Sequence, residues 1–165
     1  MESISTERLT LRPVELDDAP TILTLFNEPD CIKFIGDKNL QTIEDAQQYI
    51  IGGPQSSYKK HGLGLLAVCL HSGEMIGLCG LLKREELTFP DLGYAILSNH
   101  YRKGYAKESC QAVLSCFIEE KSILALTHPG NKGSQSLLLQ LGFTFDGIVE
   151  DINKDTFSNQ YILNR

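Results

Sequence analysis

The chain has 165 residues, 42% of them hydrophobic and 22% charged, and a formal charge of −6. That length suits a single domain over residues 1–165, with a core large enough to need neither metal nor disulfide, and no apolar run is long enough to cross a bilayer. The acidic balance excludes the broad basic surface of a general nucleic-acid binder, and the N-terminal Met-Glu-Ser-Ile-Ser-Thr-Glu-Arg has neither the basic start nor the apolar centre of a signal peptide.

Arg8-Leu-Thr-Leu-Arg12 alternates as a first strand, which Pro13 is expected to end. A helix should start near Asp17 or Asp18, with Pro20 tolerated in its first turn and Ile22, Leu23, Leu25 and Phe26 on its apolar side before Pro29. Thr42 followed by Asp45 resembles a capping box for a second helix, buried through Ile43, Ala46, Tyr49 and Ile50 and broken by Gly52-Gly-Pro54. Two apolar strands, Gly62–Leu70 and Met75–Leu82, flank the short turn His71-Ser-Gly-Glu74.

A loop from Lys83 to Pro90 leads into the most informative stretch, Asp91 to Lys107. Leu92, Tyr94 and Ile96 alternate with Gly93 and Ala95, so one strand face is bulky and the other is small enough for a ligand to lie against the backbone. Beyond it, Arg102, Lys103 and Lys107 supply positive charge and Gly104 permits a backbone geometry that a side chain forbids. The following helix offers unpaired N–H groups and the positive end of its dipole. Phosphate suits this arrangement, although an ordinary strand-to-helix connection with surface lysines has the same composition. Cys110, Val113, Leu114, Phe117 and Ile118 fall at helical spacing opposite Glu108, Gln111, Ser115 and Glu119, so the helix should pack on a sheet.

Ile123-Leu-Ala-Leu-Thr127 reads as a short buried strand. A last helix begins near Asn131, capped by Asn131 or Ser134, with Leu137, Leu138 and Leu141 as core contacts and Gly142 as its stop. Strands near Phe143–Val149 and Phe157–Leu163 complete an α/β or α+β arrangement without repeats or linkers. Five cysteines, at 31, 69, 79, 110 and 116, form no CxxC pair and read as reduced core residues of a cytoplasmic protein. The four histidines, at 61, 71, 100 and 128, show no metal-ligand spacing, so no metal is expected. Cys110 with His128 is a conceivable thiol pair, but Cys110 lies on the apolar stripe.

Three sets of residues carry a resemblance: Thr6-Glu-Arg-Leu-Thr-Leu-Arg-Pro13 followed by Asp17-Asp18, then Leu92-Gly-Tyr94 through Gly104-Tyr-Ala-Lys-Glu108, then Asn131-Lys-Gly-Ser134 running into Leu141-Gly-Phe143. In this order and spacing they resemble the GNAT superfamily of acyl-CoA-dependent N-acyltransferases, within it the RimJ/RimL-like ribosomal-protein acetyltransferase branch. The resemblance implies a twisted mixed sheet of about seven strands with helices on both faces. Two central strands would splay apart to admit the pantetheine arm of acetyl-CoA. The strand Asp91–Ser98 would pair with pantetheine through Ile96, Leu97 and Ser98. Arg102, Lys103, Gly104, Tyr105, Ala106 and Lys107 would hold the pyrophosphate, and Asn131 and Ser134 would reach the cofactor arm. Two positions depart from the family pattern. Tyr101 stands first in the Q/R-x-x-G-x-G/A loop, which main-chain contacts should tolerate. Leu138 stands where many relatives carry a tyrosine that protonates the departing thiolate.

Acyl transfer to an amine needs a neutral amine, a polarised thioester carbonyl and a proton returned to sulfur. Direct attack is expected, because no Cys-His or Ser-His arrangement supplies an activated nucleophile. The N–H of Leu97 is the first candidate to polarise the carbonyl. Asp91, or Glu85 and Glu86 in the preceding loop, are candidate bases, given an apolar setting that raises a carboxyl pKa. Ser134 is the remaining proton donor, with a helix-cap hydroxyl as its alternative role. The expected acceptor is a primary amine such as a protein N-terminus. A polyamine, amino sugar or amino acid is the alternative, and a non-catalytic CoA-binding sensor is a third reading. The acceptor loops are expected around Asn27–Asn39 and Asp151–Ser158, in a monomer or a homodimer.

Overall fold

In the computed structural model, which describes residues 1–151 and 156–165, the alternating segments pair into one sheet. Its strands are β1 (Ile4–Ser5), β2 (Leu9–Pro13), β3 (Leu65–Leu70), β4 (Met75–Leu82), β5 (Asp91–Ile96), β6 (Ser122–Thr127), β7 (Thr144–Asp151) and β8 (Thr156–Asn164). They lie in the order β1-β2-β3-β4-β5-β6-β8-β7, and every neighbouring pair is antiparallel except β5 beside β6. The strand beyond the expected set is β1, two residues long, which folds back on β2 with Ile4 opposite Leu11.

Helices cover both faces. α1 (Ala19–Asn27) follows a 3-10 turn at Leu16–Asp18, α2 (Pro29–Phe34) and α3 (Ile43–Ile50) come next, and α4 (Ser56–His61), α5 (Tyr105–Cys116) and α6 (Lys132–Gln140) complete the α-helices among the described residues, with a second 3-10 turn at Ser98–His100 after β5. On one face Ile22, Leu25 and Phe26 of α1 and Ala46 and Ile50 of α3 pack on Ala67, Cys69 and Leu78. On the other, Cys110, Val113 and Leu114 of α5 and Leu138 of α6 pack on Leu66, Val68, Ile76, Leu92 and Ile123. Strand alternation divides the two: Leu92, Tyr94 and Ile96 face α5, while Ala95 and Leu97 face α1 and α3.

Local chemistry explains the boundaries, including three that differ from the sequence expectation. Thr42 Oγ1 accepts the Asp45 N–H at 3.1 Å and Asp45 Oδ2 accepts the Thr42 N–H at 2.9 Å, so the capping box of α3 forms. α1 ends at Asn27 before Pro29 as expected, with Glu28 extended, and what the sequence did not announce is that Pro29 also starts α2, where a missing N–H costs nothing. Gly52-Gly-Pro54 does not break the chain direction: Ile51–Gln55 widens into a π-helical turn that runs on into α4. α5 ends at Cys116, one turn early, which leaves Ile118 67% exposed rather than in the core.

Candidate functional site

β5 and β6 part company almost at once. Asp91 is their single register pair, opposite Leu124, with the Leu124 N–H donating to Pro90 O at 2.9 Å. β4 by contrast follows β5 from Asp91 to Ile96. The two parallel strands therefore form a V that opens toward their C-terminal ends, the usual crevice of an α/β sheet. At that open end β4 and β5 stay close because Gly77 has no side chain: a Cβ there would lie 2.2 Å from Ala95 O.

The Leu97 N–H donates to Ile76 O at 2.8 Å, which fixes the direction of every main-chain group along β5. Antiparallel pairs alternate, so Asp91, Gly93, Ala95 and Leu97 turn their N–H and C=O groups to β4. This corrects the assignment of Leu97: its N–H is spent on β4 and cannot polarise a carbonyl. The groups that face the gap beyond the single β5–β6 pair belong to Tyr94 and Ile96. Ser98, expected to pair with the ligand, also has its N–H engaged, at 3.0 Å from Glu28 Oε2, and its hydroxyl donates to Glu28 Oε1 at 3.1 Å.

The chain then turns through two left-handed residues, Arg102 (φ 59°) and Gly104 (φ 81°), into α5. Glycine adopts this geometry at no steric cost and arginine does not, so Arg102 gave no sequence signal. The first helical bond runs from the Glu108 N–H to Gly104 O, which leaves the N–H groups of Tyr105, Ala106 and Lys107 outside the helix pattern and aimed past its N-terminus. Lys103 and Lys107 flank them. Arg8 braces this turn from β2's approach: Nη1 donates to Lys103 O at 2.7 Å, Nε to Glu108 Oε2 at 2.7 Å, and the guanidinium lies 4.6 Å from the centre of the Tyr105 ring. Burial alone would raise the Glu108 carboxyl, but hydrogen bonds from Thr6 and Arg8 outweigh it and hold the pKa below the ordinary value.

Across the gap, Asn131 caps α6 by accepting the Ser134 N–H at 3.2 Å. The Ser134 hydroxyl is not the cap; its Oγ lies 2.6 Å from the hydroxyl of Tyr94, which reaches over from β5. Burial first, offset in part by Ser134, pushes the Tyr94 phenol well above its ordinary range, so it stays protonated. Thr127, at the end of β6, adds a buried hydroxyl with no hydrogen-bond partner among the described residues. Tyr94 is the residue that sequence reasoning missed, because its position on the bulky strand face reads as core.

The carboxylates sort by burial. Asp91 is 1% exposed at the closed end of the V, with Oδ1 3.0 Å from Arg84 Nε in an ion-pair contact that lacks hydrogen-bond alignment. Burial pushes its pKa up to about 6, against the opposing pull of Arg84. Glu85 and Glu86 are exposed and lack the apolar setting a base requires, which corrects their candidacy. The Cys110–His128 pair does not form: Cys110 Sγ lies 3.8 Å from Cys79 Sγ in the core, and His128 Nδ1 accepts the Gly130 N–H. Of the expected acceptor loop Asp151–Ser158, residues 152–155 lie outside the described residues. Among the described residues no cluster of three or more His, Cys, Asp or Glu is placed to hold a metal ion, and no helix is long and apolar enough to cross a membrane.

A strand edge and a turn whose N–H groups have no partner among the described residues suit an extended ligand with amide groups and a phosphate tail. Residues 8–144 match the family described as the acetyltransferase (GNAT) domain. This chain belongs to that family. The acetyltransferase is 28% identical over 158 residues to the uncharacterised N-acetyltransferase p20 of Bacillus licheniformis, covering 93% of this chain and 89% of that one. Its fold is similar to that of RimL, the ribosomal L7/L12 alpha-N-protein acetyltransferase solved with coenzyme A. The TM-score is 0.84 at 16% identity, over 99% of this chain and 98% of the other. It is also similar to the microcin C7 self-immunity acetyltransferase MccE solved with acetyl-CoA and AMP, with a TM-score of 0.83 at 18% identity over 97% and 94%. The acetyltransferase thus has the splayed mixed sheet that the RimJ/RimL-like resemblance implies.

Proposed function

We propose that this N-acetyltransferase takes its acetyl group from acetyl-CoA and passes it by direct attack to the primary amine of a peptide or protein N-terminus. The observation that carries the reading is the unpaired edge of β5 at Tyr94 and Ile96, continuing into the free N–H groups at the start of α5. Pantetheine amides match the first and a pyrophosphate the second. The likeness to RimL favours a protein N-terminus over a small amine as acceptor.

The two walls of the gap divide the proton chemistry. Asp91, on the α1 and α3 side, takes the amine proton through water, since its raised pKa makes it a usable base near neutrality. The Tyr94 or Ile96 N–H donates to the developing oxyanion. The C–N bond forms, the C–S bond breaks, and its electron pair remains on sulfur. The Ser134 O–H stabilises that sulfur as a hydrogen-bond donor, and the sulfur gains one proton for the one the nitrogen loses. A phenol is the stronger donor and an aliphatic hydroxyl the stronger acceptor, so Tyr94 donates to Ser134 Oγ and leaves the single Ser134 proton free to face the sulfur.

The test is to mix the protein with acetyl-CoA and a panel of N-terminal peptides and small amines, following thiol release and product mass. Acetylated peptides support the reading. Acetylation of polyamines or amino sugars alone would replace the acceptor, and tight acetyl-CoA binding without any turnover would favour the sensor.

A further inference from the structure

A second concavity, a cleft of about 250 Å³, lies on the α1 and α3 side of the sheet beside the Asp91 end of the V. The wide π-helical turn forms one wall, where Gly52 leaves open space: a Cβ there would meet nothing within 4 Å. Its floor is Leu65 and Leu82. Leu82 is the register partner of Asp91, and a Cβ on Gly93 would touch both Leu82 and Leu65 at 3.2 and 3.3 Å. Gly93 and Asp91 point to the same sheet face, so the cleft lies on the face of the carboxylate that we assign as base, one cross-strand neighbour away through Leu82.

Its charge is one-sided in a chain of net charge −6. Lys60 comes from the last turn of α4 and Lys83 directly follows β4, and among the described residues no carboxylate lines the cleft. Arg84, next in the chain, is held on Asp91. We propose that this cleft binds an anionic side chain next to the acceptor amine, so that the preferred substrate is an acidic N-terminal peptide. The volume suits one or two side chains rather than a whole small-molecule ligand, and a lining whose charges are two lysines repels a polyamine. The inference rests on the peptide-amine reading above.

The experiment compares acetyl transfer to two peptides with the same N-terminal serine, followed in one by Asp-Glu and in the other by Lys-Lys. The acidic peptide is expected to have about a tenfold higher kcat/KM, the sum of two weak, partly solvated charge contacts, and the advantage should shrink as salt rises. The double variant Lys60→Glu with Lys83→Glu should reverse the preference and leave acetyl-CoA affinity unchanged by calorimetry. Equal rates for the two peptides, or a preference the charge reversal leaves intact, overturn the inference while the N-terminal reading stands. No acetylation of any amine, with acetyl-CoA still bound, overturns both.

Discussion

Gly104 shows how much a single residue decides at the anion turn. It sits at φ 81°, and a Cβ would stand 3.2 Å from Arg8 Nη2. Gly104→Asp adds backbone strain of about 1 kcal/mol and a negative charge among the N–H groups. Calorimetry should find acetyl-CoA binding abolished while circular dichroism still reports a folded protein. Ser134→Ala should lower kcat about tenfold with little change in acetyl-CoA affinity, the loss of one hydrogen bond to a charged sulfur and less than the loss of full proton transfer. Tyr94→Phe should cost less than that alone and nothing further in the Ser134→Ala background, because it acts through the serine. Asp91 gives a pH signature. Its pKa rises from 3.8 to about 6 on folding, so its contribution to stability is fully present below the lower value and is lost as pH climbs through the upper one. That is about 3 kcal/mol over roughly two units. Asp91→Asn should flatten this decline in melting temperature between pH 4 and 7. The same substitution should remove the rise in wild-type turnover through about pH 6.

At the scale of elements, the brace between the N-terminal segment and α5 connects packing to the site. Thr6 Oγ1 and the Arg8 N–H both reach Glu108 Oε1, at 2.6 and 2.9 Å, while the Arg8 side chain ties Glu108 to Lys103 O. Arg8→Ala should cost about 1 kcal/mol in urea unfolding, since the pair is partly exposed, and should weaken acetyl-CoA binding several-fold by loosening the turn. These links also explain what the sequence could convey. The strand-turn-helix from Asp91 to Cys116 is legible because alternation, a glycine and an apolar stripe are local signals. The direction of the Leu97 N–H is not, because it depends on which register β4 adopts. The short α2 and the π-helical turn were hidden by proline and glycine, whose meaning changes with position in a helix. Ser134 was legible as a polar residue on the first turn of α6, but its partner Tyr94 lies 40 residues away, brought near by the sheet.

For the molecule as a whole, two helical layers leave four of the five cysteines buried, Cys31, Cys69, Cys79 and Cys110, with Cys116 exposed. Mass spectrometry after brief treatment of the native protein with a thiol reagent should therefore find one modification, at Cys116. In the proposed binding mode the acetyl-CoA arm enters the gap between β5 and β6 as an additional strand-like partner. Amide hydrogen exchange followed residue by residue, with and without saturating acetyl-CoA, addresses it most directly. The Leu97 amide should exchange slowly in both states, because Ile76 O already holds it. The Tyr94 and Ile96 amides should exchange faster in the free protein and become protected on binding. Unchanged exchange at both positions under saturating acetyl-CoA would contradict the account.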